Sequence, residues 1–175
     1  MVKVAVIIAN GTEEIEGLTP VDVIRRCEGA ICDIVSVSGE VAKGSHGIEI
    51  KADKLASQTD FSCYDCIVIP GGMPGAVNIA NDNFVVSALE EAIEGEKVVA
   101  SICASPAVVL AGSGLIKGKK VTCYPAEVFL DKLKGCYYTG ADVQVDGKLI
   151  TANGPKSALS FSLEICKALG LTPKF

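Results

Sequence analysis

The stretch Val99-Ala100-Ser101-Ile102-Cys103-Ala104-Ser105-Pro106-Ala107 reads as an apolar strand that turns abruptly into a helix of small residues. A short apolar run closed by a turn signal is the pattern of a buried strand. Proline just inside the next element is the mark of a helix start. Ser101 and Ser105, two places either side of Cys103, are small enough for a tight corner. The same geometry presents the serine of a nucleophile elbow. A cysteine there is held out rather than buried, and the positive end of the following helix favours its thiolate. Cys103 is therefore predicted to be a reactive cysteine with a lowered thiol pKa.

Outward from this corner, strands and helices alternate. Val4–Ala9 is a continuous apolar run, as expected of a strand covered on both faces. Glu13–Cys27 carries Ile15, Leu18, Val21, Val23 and Ile24 at helical spacing, with Pro20 expected to kink it. Ile31–Val37, Cys66–Ile69 and Lys97–Ile102 are further predicted strands, and Asn83–Glu94 is an amphipathic helix. A short hairpin is expected around Ser45–Lys51. Lys120–Cys123 is predicted as a strand, followed by a short helix over Ala126–Lys134. Asp146-Gly147 between two apolar runs is a strong hairpin signal, and Pro155 opens a last helix ending near Leu169. The alternation implies a mainly parallel sheet with helices on both faces. We expect one domain over residues 1–175, with no repeat or linker.

Composition narrows the function. Sixteen Lys and Arg against 21 Asp and Glu leave a net charge of −5, which argues against nucleic acid or an anionic membrane as partner. No apolar run approaches the about 18 residues of a membrane span. The short N-terminal run reads as a strand rather than an export signal, so a cytoplasmic chain with eight reduced cysteines is expected. Cys63 and Cys66 make a Cys-x-x-Cys, but no second pair follows for zinc and no helix start follows for redox work. No metal and no cofactor are expected. Cys27, Cys32, Cys123, Cys136 and Cys166 lie in or beside apolar runs and read as small buried hydrophobes.

In a parallel sheet, ligands bind beyond the carboxyl ends of the strands. The loop Asn10–Glu16, the turn Pro70-Gly71-Gly72 and the Cys103 corner all fall there. The N–H groups of Gly71, Gly72 and Ala104 are candidate oxyanion donors. The only histidine, His46, precedes Cys103, which excludes the order of an α/β-hydrolase triad. Carboxylates remain as proton carriers. Glu13 and Glu14 read as solvated partners of the helix dipole. Glu16, one turn further in beside Gly17, is placed to meet the thiol, where it would hold its proton rather than stand as a second anion.

These residues resemble the ThiJ/PfpI superfamily, in the branch of the Parkinson-disease-linked deglycase. The resemblance rests on Gly-Thr-Glu-Glu-Ile-Glu (11–16), Pro20-Val21-Asp22-Val23-Ile24-Arg25-Arg26, Val68-Ile69-Pro70-Gly71-Gly72, Ile102-Cys103-Ala104 and Asn153-Gly154-Pro155. It implies a flavodoxin-like three-layer sandwich, a homodimer, Cys103 as oxidisable nucleophile and Glu16 as its protonated partner. It also implies glyoxalase or deglycase activity on small reactive aldehydes such as methylglyoxal, without glutathione or metal. An alternative within the same resemblance is an oxidative-stress sensor or redox-dependent chaperone whose cysteine becomes a sulfinate. A thiazole-biosynthesis role follows from the family name alone and has no residue behind it.

Two positions depart from the family pattern. Tyr124, in Thr122-Cys123-Tyr124-Pro125, stands where many relatives carry a histidine near the cysteine, and tyrosine is a poor base at neutral pH. Ala104 stands where peptidase-like and chaperone-like branches carry a histidine, which argues against peptidase activity. His46 falls where an arginine of a neighbouring subunit approaches the site in some relatives, and Arg26 is a comparable neighbour.

Overall fold

The computed structural model describes all residues, Met1–Phe175. β1 (Val2–Ile8) leads into α1 (Glu14–Arg25), then β2 (Ala30–Ser36), the hairpin β3 (Val41–Lys43) and β4 (Glu49–Lys51), and the short edge strand β5 (Lys54–Leu55). β6 (Cys66–Ile69), α2 (Gly75–Ala80), α3 (Asn83–Glu94) and β7 (Val98–Ile102) follow. The second half holds β8 (Lys120–Val121), α4 (Glu127–Leu130), β9 (Tyr137–Tyr138), β10 (Val143–Asp146), β11 (Leu149–Ala152) and α5 (Ala158–Ala168). Seven strands form one sheet in the order β10-β11-β7-β6-β1-β2-β5. All neighbours run parallel except β10 and β11, which form the hairpin expected at Asp146-Gly147.

The apolar run of β1 follows from burial on both faces. Val4, Val6 and Ile8 point into one core with Val21 and Ile24 of α1 and Phe161 and Ile165 of α5. Ala5 and Ile7 point the other way, into a core shared with Ile79 of α2, Val85 and Leu89 of α3 and Leu110. The result is an α/β sandwich of three layers, helix, sheet and helix. At about 25 cal/mol per Å² of buried apolar surface, these two cores are the main favourable contribution to folding.

Several expectations need correction. Lys120–Cys123 does not join the main sheet: only Lys120–Val121 is extended, and it pairs in parallel with β9 as a separate two-stranded sheet. The last helix begins at Ala158, after a single 3₁₀ turn at Pro155–Ser157. The helix after Cys103 is a six-residue π-helical segment, Pro106–Ala111, in which Gly112 N–H reaches back to the Ala107 carbonyl at 3.0 Å. No helix is long and apolar enough to cross a membrane.

Candidate active site

The chain runs from β1 to β2 on one side of the sheet and returns with β6 on the other side of β1. This reversal makes a topological switch point between β1 and β6, at whose carboxyl ends open α/β sheets bind ligands. Glu16 comes from the helix after β1, Gly71 and Gly72 from the turn after β6, and Cys103 from the end of β7.

Cys103 has φ +65°, a left-handed conformation that a non-glycine residue rarely adopts. The corner is held on both sides: Cys103 N–H donates to the Ala152 carbonyl at 2.9 Å, and its carbonyl accepts from Tyr124 N–H at 2.8 Å. Ser105 Oγ donates to the Pro70 carbonyl at 2.6 Å, tying the corner to the glycine turn. Strain of this kind persists only where the surroundings over-determine it, and it clusters at functional sites. The sharp turn expected from sequence is present.

A closed ring of hydrogen bonds sets Glu16 against this corner. Glu13 caps α1, its Oε2 accepting from Glu16 N–H at 2.8 Å. Glu13 N–H donates to the Gly71 carbonyl at 3.0 Å, and Gly71 N–H donates to Glu16 Oε2 at 2.8 Å. Glu16 is fully buried, and its Oε1 has no hydrogen-bond partner. The space is closed tightly. A Cβ on Gly71 would stand 2.6 Å from both Cys103 Cβ and Glu16 Oε2. Gly72, at φ +92°, would drive a Cβ into the Gly11 carbonyl and Glu13 N.

Burial pushes the Glu16 carboxyl up to about 7; the thiol and the Gly71 N–H oppose this, and the Glu13 charge adds to it. Cys103 is half-buried. Its thiol is pushed above its ordinary range by burial first and by the Glu16 carboxylate second. The N–H groups of Ala104 and Gly72 face the sulfur and pull the other way. Against the expectation of a lowered thiol pKa, burial and the Glu16 carboxyl push it up. Two contacting anions are unfavourable in this interior, so the pair titrates as a unit sharing one proton. A thiolate forms there only while Glu16 keeps its proton.

Gly71 is a second correction. Its N–H is spent on Glu16 and is not free for an oxyanion, which leaves Gly72 and Ala104. Tyr124 lies beside the site, bonded through its main chain to Cys103 and with its half-exposed ring against Gly154. Arg26 does not reach it within this chain. It ends α1 at the far end from Glu16, paired with Asp22 at 3.1 Å and stacked under the Phe175 ring.

Glu13 and Glu14 are buried, contrary to the expectation of solvated helix partners. Glu14 fastens the tip of the β3–β4 hairpin. It accepts from His46 N–H at 2.7 Å, His46 Nδ1 at 2.9 Å, Ser45 Oγ at 3.3 Å and Ile48 N–H at 3.4 Å. Burial raises its pKa, but these donors outweigh burial and hold it at about 2. His46 itself is exposed, and the Glu14 carboxylate raises its pKa. One donor atom each of Glu13, Glu14 and His46 lie within 4.8 Å of one another, a spacing a metal ion could use. Both Glu14 oxygens are already committed to the loop. This clamp had no sequence signal beyond the acidic first turn, because the hairpin tip arrives from more than thirty residues away.

The DJ-1/PfpI family model matches residues 2–168. Protein DJ-1 homolog B of Arabidopsis thaliana is 36% identical over 169 residues, covering 95% of this chain but only 38% of the plant protein, so the chain spans well under half of that relative. The Parkinson disease protein 7 homolog of Danio rerio is 35% identical over 173 residues, covering 95% of this chain and 89% of the fish protein. Among solved structures, oxidized Toxoplasma gondii DJ-1 superposes with a TM-score of 0.90 at 40% identity, covering 97% of this chain and 91% of that one. In extent, fold and motif order alike, the chain is a member of the DJ-1/PfpI family.

Proposed function

We propose that the chain is a cofactor-free cysteine enzyme acting on small 2-oxoaldehydes such as methylglyoxal, with Cys103 as nucleophile and Glu16 as proton carrier. The observation that carries this reading is the buried contact between Glu16 and a Cys103 held at φ +65°. With the pair's proton on Glu16, the Cys103 thiolate attacks the aldehyde carbon and the carbonyl oxygen takes up the proton, giving a hemithioacetal. Gly72 and Ala104 N–H groups steady the developing oxyanion. Glu16 then carries the proton from the former aldehyde carbon to its neighbour through an enediol, leaving a thioester. Water hydrolyses the thioester, releasing lactate and restoring the thiol. Atoms balance as one methylglyoxal and one water to one lactate.

The test is lactate formation from methylglyoxal in buffer free of amines and thiols. Cys103→Ala and Glu16→Ala are expected to abolish it, and full turnover by either variant overturns the mechanism. Deglycase action on hemithioacetals and aminocarbinols would use the same pair.

A second reading, an oxidative-stress sensor, is favoured by one observation: Glu16 Oε1 is buried without a partner, ready to donate to a sulfinate oxygen once protonated. The similarity to an oxidized DJ-1 structure supports it. Mild peroxide should then convert Cys103 to sulfinate ahead of the other seven cysteines, and indiscriminate oxidation by mass spectrometry would argue against sensing.

We also propose a homodimer. Ile15 on α1 and Leu159 and Leu163 on α5 are exposed apolar residues on two helices that pack side by side, the kind of patch that marks an interface. Sedimentation at a single-chain mass across micromolar concentrations would refute it.

A further inference from the structure

We propose that Cys27 and Cys166 form a peroxide-responsive disulfide that fastens the C-terminal end of α1 to the last turn of α5. The sulfurs are in contact at 3.8 Å, although the residues stand 139 apart in sequence. Both are buried in the core shared by α1, α5 and the sheet. A disulfide needs about 2.05 Å between sulfurs, so bond formation requires the two sulfurs to close from van der Waals contact by side-chain rotation and an approach of the helices.

The surroundings select this pair. Cys32 and Cys66 lie in the same core, but on strands either side of Val4, which pairs with both and separates them. Cys27 and Cys166 stand at the outer layer under the C-terminal tail. Leu171 N–H donates to the Cys166 carbonyl at 2.8 Å, Pro173 bridges to Cys27, and Lys174 N–H reaches the Arg26 carbonyl at 3.3 Å. Beyond these, the tail is held by Leu171 against the core, by the Phe175 ring on Arg26 and by an exposed Lys174–Glu28 ion pair at 2.9 Å, the last a kind of contact worth little in water. Brief lifting of this tail uncovers Cys27, the less buried of the two. Burial pushes the Cys166 thiol up, and Cys27, the more accessible of the two, meets the oxidant first.

The chemistry balances with hydrogen peroxide as oxidant. Cys27 thiolate attacks one peroxide oxygen; the S–O bond forms, the O–O bond breaks, and hydroxide leaves as water after taking the thiol proton. Cys166 sulfur then displaces hydroxide from the sulfenic acid, which takes the second thiol proton and leaves as a second water. Two thiols are oxidised by two electrons, and one peroxide is reduced. Closing a loop of this length restricts the unfolded chain strongly, so oxidation should raise Tm by roughly 10 °C. Since α1 carries Glu16 in its first turn, the bond would also stiffen the helix that bears the proton carrier.

The experiment is peroxide treatment of the full chain in a Cys103→Ser background, so that oxidation at the active site cannot supply the signal. Non-reducing peptide mapping and a thermal scan follow. We expect a loss of 2 Da, a peptide joining Cys27 to Cys166, and a Tm rise reversed by dithiothreitol. Cys27→Ser and Cys166→Ser should each abolish the joined peptide and the rise. If both thiols remain open to alkylation after unfolding while exposed Cys63 is oxidised, the proposal fails. Should a serine variant not fold, the peptide map of the parent chain decides by itself.

Discussion

Glu14 and Glu16 sit two residues apart in the first turn of α1, both buried, yet the fold drives them in opposite directions. Glu14 is held at about 2 and Glu16 at about 7. Burial raises both. The difference lies in donors: Glu14 receives four hydrogen bonds from the hairpin tip, whereas Glu16 receives one main-chain N–H, faces a thiol and leaves one oxygen unpaired. A buried carboxylate with enough donors is a structural anion, and one without them becomes a proton carrier. The same helix turn thus supplies a clamp on one side and a chemical group on the other.

The sharpest way to break this comparison is to neutralise each acid in turn. Glu16→Gln should lower kcat/KM for methylglyoxal about 10²- to 10⁴-fold, the usual range for losing a general acid–base. Glu14→Gln should leave it within about tenfold, because it touches the loop and not the thiol. Equal losses in the two variants would remove the distinction. Next in size is Gly71→Ala, whose Cβ would meet Cys103 Cβ and Glu16 Oε2 at 2.6 Å. Backbone and core crowding of this kind costs about 1–3 kcal/mol. Chemical denaturation should show that loss together with falling activity.

Stability against pH separates the two acids by sign. The folded-state pKa of Glu16 lies above its ordinary 4.5, so the folded chain binds the extra proton and loses stability as pH rises from 4.5 to about 7. Glu16→Gln should therefore be more stable than the parent at pH 7.5, by on the order of 1–3 kcal/mol, with the gain vanishing near pH 4. Glu14 is depressed, so its contribution is full above 4.5 and fades as pH falls toward 2. Glu14→Ala should cost about 2 kcal/mol at neutral pH through the stranded donors, and the penalty should shrink in acid. The smallest effect expected is at His46, which is exposed and supplies two of the four donors, one of them main-chain. His46→Ala should shift Tm by little, and a shift as large as that of Glu14→Ala would show the imidazole, not the main chain, to be the clamp.

The strands β1, β2, β6 and β7 and the helices α1, α3 and α5 were legible because burial on two faces leaves long apolar runs and burial on one face leaves helical spacing. The Cys103 corner was legible because only small residues fit beside it. Lys120–Cys123 misled for a related reason: apolar residues next to a covered sheet read as a strand whether or not they pair with it. The role of Gly71 was misjudged because a glycine amide can serve an oxyanion or a neighbouring carboxylate, and spacing does not say which. Arg26 belongs to the far end of α1, a fact that follows from helix length once Glu16 is set at the near end.

Sequence alone determined the layered α/β architecture, the sharp corner at Cys103 and the pairing of that corner with an acid from the first helix. These rest on local sterics and on periodicity, which each segment carries within itself. Tertiary structure decided the protonation of that pair, the loss of Gly71 as an oxyanion donor, the Glu14 clamp and the contact between Cys27 and Cys166. Each depends on the number of donors or neighbours that distant segments bring to one atom, and no stretch of chain encodes that number by itself.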